Sequence, residues 1–252
     1  MSDTNHIIYT SISYVLSFLL LWLFNKKINK QSTKNMILKI FAILTVMIHY
    51  SILYVDFFTN GEAMVEDTML LPIYPCNIAM WLLIIVSFMK NKESRLFKHI
   101  AVVTFYLGLI GGSIGLVFNE NYISTPSFAD WSVVKGLLSH STLIFGSLYI
   151  LCGKYIEIRV ENVLNVVGGL LFLIIDGIFV ISIFRMFKLE PPNCMYLLEN
   201  PFPEISWFSP YIIGLLATIL VFMITALYEQ IALEKEERWY YKLQNKLLKK
   251  ER

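Results

Sequence analysis

Charge is the scarce ingredient of this chain. Only 16% of its 252 residues are Asp, Glu, Lys or Arg, where soluble domains carry about a quarter. The charges are gathered in short clusters, and the apolar runs between them approach the ~20 residues needed to cross a hydrocarbon layer of ~30 Å. No soluble domain of any size fits in what is left. Cysteine is scarce too: Cys76, Cys152 and Cys194 are too few for a disulfide framework. No phosphate-binding loop, zinc-ligand spacing or internal repeat stands out, so the reading includes no metal, no cofactor and no nucleic acid. The first apolar run follows Asp3 and His6 rather than lysines, which suits a first spanning helix and not a cleavable signal peptide.

What the chain has in excess is apolar surface, 56% of its residues. The runs predict an all-α, polytopic transmembrane bundle of seven helices, at 7–24, 36–57, 69–89, 99–118, 132–152, 163–187 and 209–229. The linkers test that count. Residues 25–35 hold Lys26, Lys27, Lys30 and Lys34 without an acid, and 59–68 hold Glu62, Glu66 and Asp67 without a base. Bases recur at 90–98, at 153–162 and beyond 230. Of the 21 Lys and Arg, only Lys188 falls in the opposite loops, and Lys39, Lys135 and Arg185 fall within spans. Basic loops stay cytoplasmic. The expected topology therefore has the N-terminus outside and the C-terminus in the cytoplasm, in a multi-pass protein of the cell membrane. Residues 1–230 form the transmembrane domain and 231–252 a basic amphipathic cytoplasmic tail. The tail spaces Trp239, Tyr240, Leu243 and Leu247 between bases, as expected of a helix that continues the last span along the anionic inner leaflet.

Topology converts position into depth. Cys76, His140 and His49 each lie seven or eight residues from the outer end of their span, roughly 10–12 Å into the layer at 1.5 Å per residue. Gly111, Gly112 and Gly115 fall in the same outer slab, and Asp176 lies deeper. A lone membrane cysteine is ordinarily a packing residue, whereas an intramembrane histidine or aspartate marks a site or an interhelical bond. The segment LLPIYPCNIAMWLL sets Pro72 and Pro75 beside Cys76 and Asn77. Proline fits only the first turn of a helix, so a regular helix starting near Pro75 sets Cys76 in that turn, where the positive helix end favours a thiolate. A proline kink that only shapes packing, and a disulfide between Cys76 and Cys194, are the competing readings. The overlapping G-x-x-x-G spacings Gly108/Gly112 and Gly111/Gly115 are read as close helix packing.

Pro72-x-x-x-Cys76-Asn77, then GLIGGSIGLVF, then LLSHSTLIFGSLY with His140, then NCMYLLENP resemble, in that order, the YwaF family of bacterial integral membrane proteins. Such proteins look distantly similar to a eukaryotic acyltransferase that remodels ether phospholipids through a cysteine, and to the androgen-induced hydrolases of fatty-acid esters. The resemblance implies Cys76 as nucleophile and His140 as its paired histidine. Asn193, Tyr196 and Pro201 match an outer-loop motif, although Cys194 stands where the family's common Asn-Tyr pair has its aromatic. The implied activity is lipid acyl transfer or acyl-ester hydrolysis near the outer leaflet, with membrane lipids as partners. Asn77 or backbone amides are expected at the oxyanion, and His49 or Asp176 as groups that orient the histidine. The alternative is a small-solute carrier or receptor with an intramembrane polar cavity.

Overall fold

The computed structural model describes residues 4–61, 72–118, 127–200 and 209–250. Among them there is no strand. The helices are α1 (Thr4–Lys27), α2 (Gln31–Asn60), α3 (Pro75–Phe88), α4 (Arg95–Val117), α5 (Trp131–Cys152), α6 (Val163–Met186), α7 (Pro210–Ala232) and α8 (Trp239–Lys250). Six of the described helices, all but α3 and α8, are long and apolar enough to cross a membrane. At 1.5 Å per residue the 14 residues of α3 reach only about 21 Å. Residues 69–71 of the expected third span, the acids of the 59–68 linker, Glu120 and Pro201 lie outside the described residues.

Short polar signals set the helix ends. Ser94 and Asp130 cap α4 and α5, accepting from the amides of Phe97 and Ser132 at 3.1 and 2.8 Å. Gly61 ends α2 in the left-handed region, at φ 76°, with its amide on the Phe57 carbonyl. Lys92 closes α3 by donating to the carbonyls of Val86 and Ser87. Its ammonium also lies 5.0 Å over the Phe97 ring.

The chain divides into two compact units at Ile156/Glu157. In the first, α5 is the hub. Of its apolar window 67% is buried, against 11% for α1, and it packs chiefly on α2 and α4, with α3 set against α4 and α2. Small residues allow the close approach: a Cβ on Gly108 would lie 1.9 Å from Ser147 Oγ, and one on Gly112 2.9 Å from Ile144 Cγ1. Phe41 and Phe145 lie 3.9 Å apart between ring centres, joining α2 to α5, and Phe24 meets Phe145 edge-on at 6.0 Å from α1. His6 at the start of α1 is buried and donates Nε2–H to the Leu116 carbonyl at 2.8 Å.

The second unit holds α6, α7 and α8. The tail does not continue α7 as a single helix. α7 ends at Ala232, Leu233 is extended, and a 3-10 turn at Lys235–Glu237 precedes α8. The cause is Glu229, which is 1% exposed. Its Oε2 accepts from the Trp239 amide and its Oε1 from the Val160 amide, both at 2.7 Å. A carboxylate at the first amide of α8 starts a new helix there.

Candidate functional site

Pro72 and Ile73 are not helical, Tyr74 is extended at φ −115° and ψ 153°, and the helix begins at Pro75. Proline's missing amide costs nothing in a first turn. Cys76 is thus the second residue of α3, with Sγ 3.5 Å from Asn77 Oδ1, its acceptor. The helix start expected from the two prolines is where the structure has it.

α5 supplies His140. Its Nδ1 lies 2.7 Å from the Gly136 carbonyl one turn back. A carbonyl only accepts, so in the neutral ring Nδ1 carries the hydrogen and Nε2 the lone pair. The backbone of the ring's own helix thus holds the Nδ1 side of the imidazole. α2 supplies His49, whose ring meets Tyr50 edge-on at 5.1 Å. Its Nε2 is buried and has no hydrogen-bond partner among the described residues.

These side chains line one small cavity. α2 contributes Thr45 and His49, α3 contributes Cys76, Asn77 and Met80, and α5 contributes Ser139, His140 and Leu143. The Thr45 hydroxyl is turned to the Phe41 carbonyl at 2.8 Å, and that of Ser139 to the Gly136 carbonyl at 3.0 Å. α4 contributes a bare backbone face. A Cβ on Gly115 would lie 2.2 Å from His140 Nε2, and one on Gly111 3.3 Å from the Cys76 amide nitrogen. Four residues span about 6 Å of helix, so the imidazole and the first turn of α3 rest one turn apart on the same face. The two overlapping glycine pairs, both read as packing, divide. Gly108 and Gly112 seat α5 side chains, whereas Gly111 and Gly115 face the cysteine and the histidine.

Asp176, Asn193 and Tyr196 belong to the second unit. Asn193 ties its own loop, accepting at Oδ1 from the amides of Leu198 and Glu199 and donating Nδ2–H to the Glu199 carbonyl. This holds Met195 and Tyr196 at φ 51° and 57°, the strained left-handed region. It also seats Cys194 against Gly177, where an added Cβ would lie 3.5 Å from Cys194 Cβ. None of the three cysteines is disulfide-bonded in the structure. Burial, then the nearby Asp176 carboxylate, push the Cys194 thiol up from its ordinary pKa, which leaves it a poor nucleophile. Asn193→Ala removes three hydrogen bonds at a strained turn. With the three bonds exposed and each contributing about 0.5–1 kcal/mol, it is expected to cost about 2 kcal/mol, measured as a lowered denaturation midpoint.

The sequence profile of the TMEM164 family matches residues 1–228. The chain belongs to the TMEM164 family. With six long apolar helices among the described residues, it is a multi-pass membrane protein. Neither a curated protein nor a solved structure matches it. For a TMEM164-family chain, one cavity residue has no place in the sequence reading: Thr45, one turn before His49 on α2.

Proposed function

We propose that the protein moves the acyl group of a membrane lipid, with Cys76 as nucleophile and His140 as base. One observation carries this reading: a thiol in the first turn of a proline-started helix shares a small intramembrane cavity with an imidazole whose Nε2 lone pair is left for proton transfer. The motif resemblance to YwaF-type proteins, and through them to lipid acyltransferases and ester hydrolases, points the same way. The charge asymmetry of the loops supports an outside N-terminus, which sets the cavity under the outer headgroups of the cell membrane, at the level of the ester bonds. The lining mixes one thiol, two imidazoles and a carboxamide with Met80 and Leu143, a setting for a reacting ester whose chain stays in the bilayer.

In the first step His140 Nε2 takes the Cys76 proton and Sγ attacks the ester carbonyl, whose π pair moves onto oxygen. Collapse breaks the C–O bond, and the leaving lysolipid oxygen takes the proton back from His140. The acyl thioester is then opened by an acceptor lipid hydroxyl or by water, deprotonated by the same ring. The positive end of α3 favours the thiolate throughout.

The test uses the full chain in vesicles containing an acyl-labelled phospholipid and a lysolipid. Labelled acyl chain is expected to move to the lysolipid or to water. Cys76→Ser and His140→Ala should each lower that rate by about 10³-fold. Equal rates in Cys76→Ser and wild type, or no acyl movement at all, would refute the reading.

A further inference from the structure

Buried polar atoms are almost always hydrogen-bonded, and one left without a partner costs about 1–3 kcal/mol. Among the described residues that line the cavity, His49 Nε2 is the buried side-chain atom in that position. Its neighbours supply no hydroxyl donor. Thr45 and Ser139 turn their hydroxyls to helix carbonyls, Asn77 presents its carboxamide oxygen to the sulfur, and His140 keeps its Nδ1–H on Gly136. An ester brings only acceptors into such a space. What it lacks there is a donor aimed at the carbonyl oxygen, and an unpartnered imidazole nitrogen on the opposing helix is one in the tautomer that carries its hydrogen on Nε2.

We infer that His49 is the oxyanion donor of the site, its Nε2–H binding the carbonyl oxygen of the lipid acyl group and the negative charge that develops there. This inference rests on the proposed acyl chemistry and deepens it by dividing the two imidazoles between two tasks. When Sγ bonds to the carbonyl carbon, the π pair becomes an oxyanion held by His49, while the thiol proton resides on His140 Nε2. On collapse the pair returns to carbon, the C–O bond breaks, and His140 protonates the leaving oxygen. His49 remains neutral and exchanges no proton. An interaction that strengthens only as charge forms lowers the barrier and leaves ground-state binding little changed.

The experiment separates attack at a carbonyl from attack at a saturated carbon. The full-length protein in detergent is treated with 4-nitrophenyl dodecanoate, which forms an oxyanion when Cys76 attacks, and with iodoacetamide, which forms none. In His49→Phe the acylation rate is expected to fall about 10²-fold, with Cys76 alkylation within about twofold of wild type. His49→Gln, which keeps an N–H donor, should recover most of the loss. Removing an orphaned polar atom is also expected to leave the unfolding midpoint of His49→Phe unchanged or raised, whereas a structural role would lower it. Acylation of His49→Phe at the wild-type rate, or acylation and alkylation falling together, would overturn the assignment of His49 while leaving the nucleophile in place. Wild-type protein that alkylates but never acylates at Cys76 would overturn the proposed function and this inference with it.

Discussion

Gly115→Ala is expected to inactivate the protein while leaving it folded. The new methyl would sit 2.2 Å from His140 Nε2, 2.4 Å from Cδ2 and 2.8 Å from Cε1, so one of the two must move. The ring end yields most easily, and the carbon would occupy the place of the lone pair that, in the proposed mechanism, removes the Cys76 proton. A displacement of about 1 Å in a reacting group can cost on the order of 10²-fold in rate, and blocking the base adds to that. Acyl transfer by Gly115→Ala should therefore drop by about 10²-fold or more, with a small change in unfolding midpoint. Gly108→Ala makes the informative contrast. Its methyl would meet Ser147 Oγ at 1.9 Å and Cβ at 2.9 Å, a clash with a residue that does not line the cavity, and would touch Leu143 only at an ordinary 3.4 Å. Overpacking of this kind costs about 1–3 kcal/mol, so Gly108→Ala should lose stability yet keep its activity per folded molecule. Gly214→Ala, with nothing within 4 Å of the added carbon, serves as the neutral control. If Gly115→Ala and Gly108→Ala behave alike, both glycines serve packing only.

Glu229→Ala is expected to give the largest stability loss. The carboxylate is buried and accepts from two backbone amides distant in sequence, Val160 and Trp239. Truncation leaves both without their acceptor and removes negative charge from the start of α8. At about 1–3 kcal/mol for each stranded amide, with a few tenths more from the lost charge at a helix end, the expected cost is about 3 kcal/mol. It should appear as a lowered unfolding midpoint and as early proteolytic release of residues 239–250. Glu229→Gln retains one acceptor oxygen and should fall between the two. An unchanged midpoint in Glu229→Ala would show that α8 is held by other contacts.

Much of this was legible in the sequence because its causes are local. Apolar run length marks spans, a serine or aspartate before a run marks a helix start, and Pro75 can begin a helix but not continue one. Depth counting brought Cys76, His49 and His140 to one level, and they share one cavity. What stayed hidden depends on directions that spacing does not encode. Two glycine pairs of identical spacing are offset by three residues, about 300° around a helix, yet one pair seats α5 side chains and the other faces the first turn of α3 and the imidazole. The carbonyl orienting His140 belongs to the backbone, which every residue carries, so no letter announces it. Asp176 and Asn193 belong to the second unit, where Asn193 ties its own loop and Asp176 lies near Cys194. Glu229 read as the last residue of a span, because its partners lie 69 and 10 residues away. The tail's apolar spacing was correctly helical, but the break before α8 arises from that distant carboxylate.

The central claim is that the Cys76 thiol and the His140 imidazole act together on a lipid ester. Intact-mass measurement of the full-length protein after brief incubation with phospholipid vesicles tests it most directly. The wild type should gain the mass of one acyl chain, localised to Cys76 and released by neutral hydroxylamine as a thioester, and the gain should be absent in both Cys76→Ser and His140→Ala. An adduct that persists in Cys76→Ser, or that forms in His140→Ala as fast as in the wild type, would contradict it.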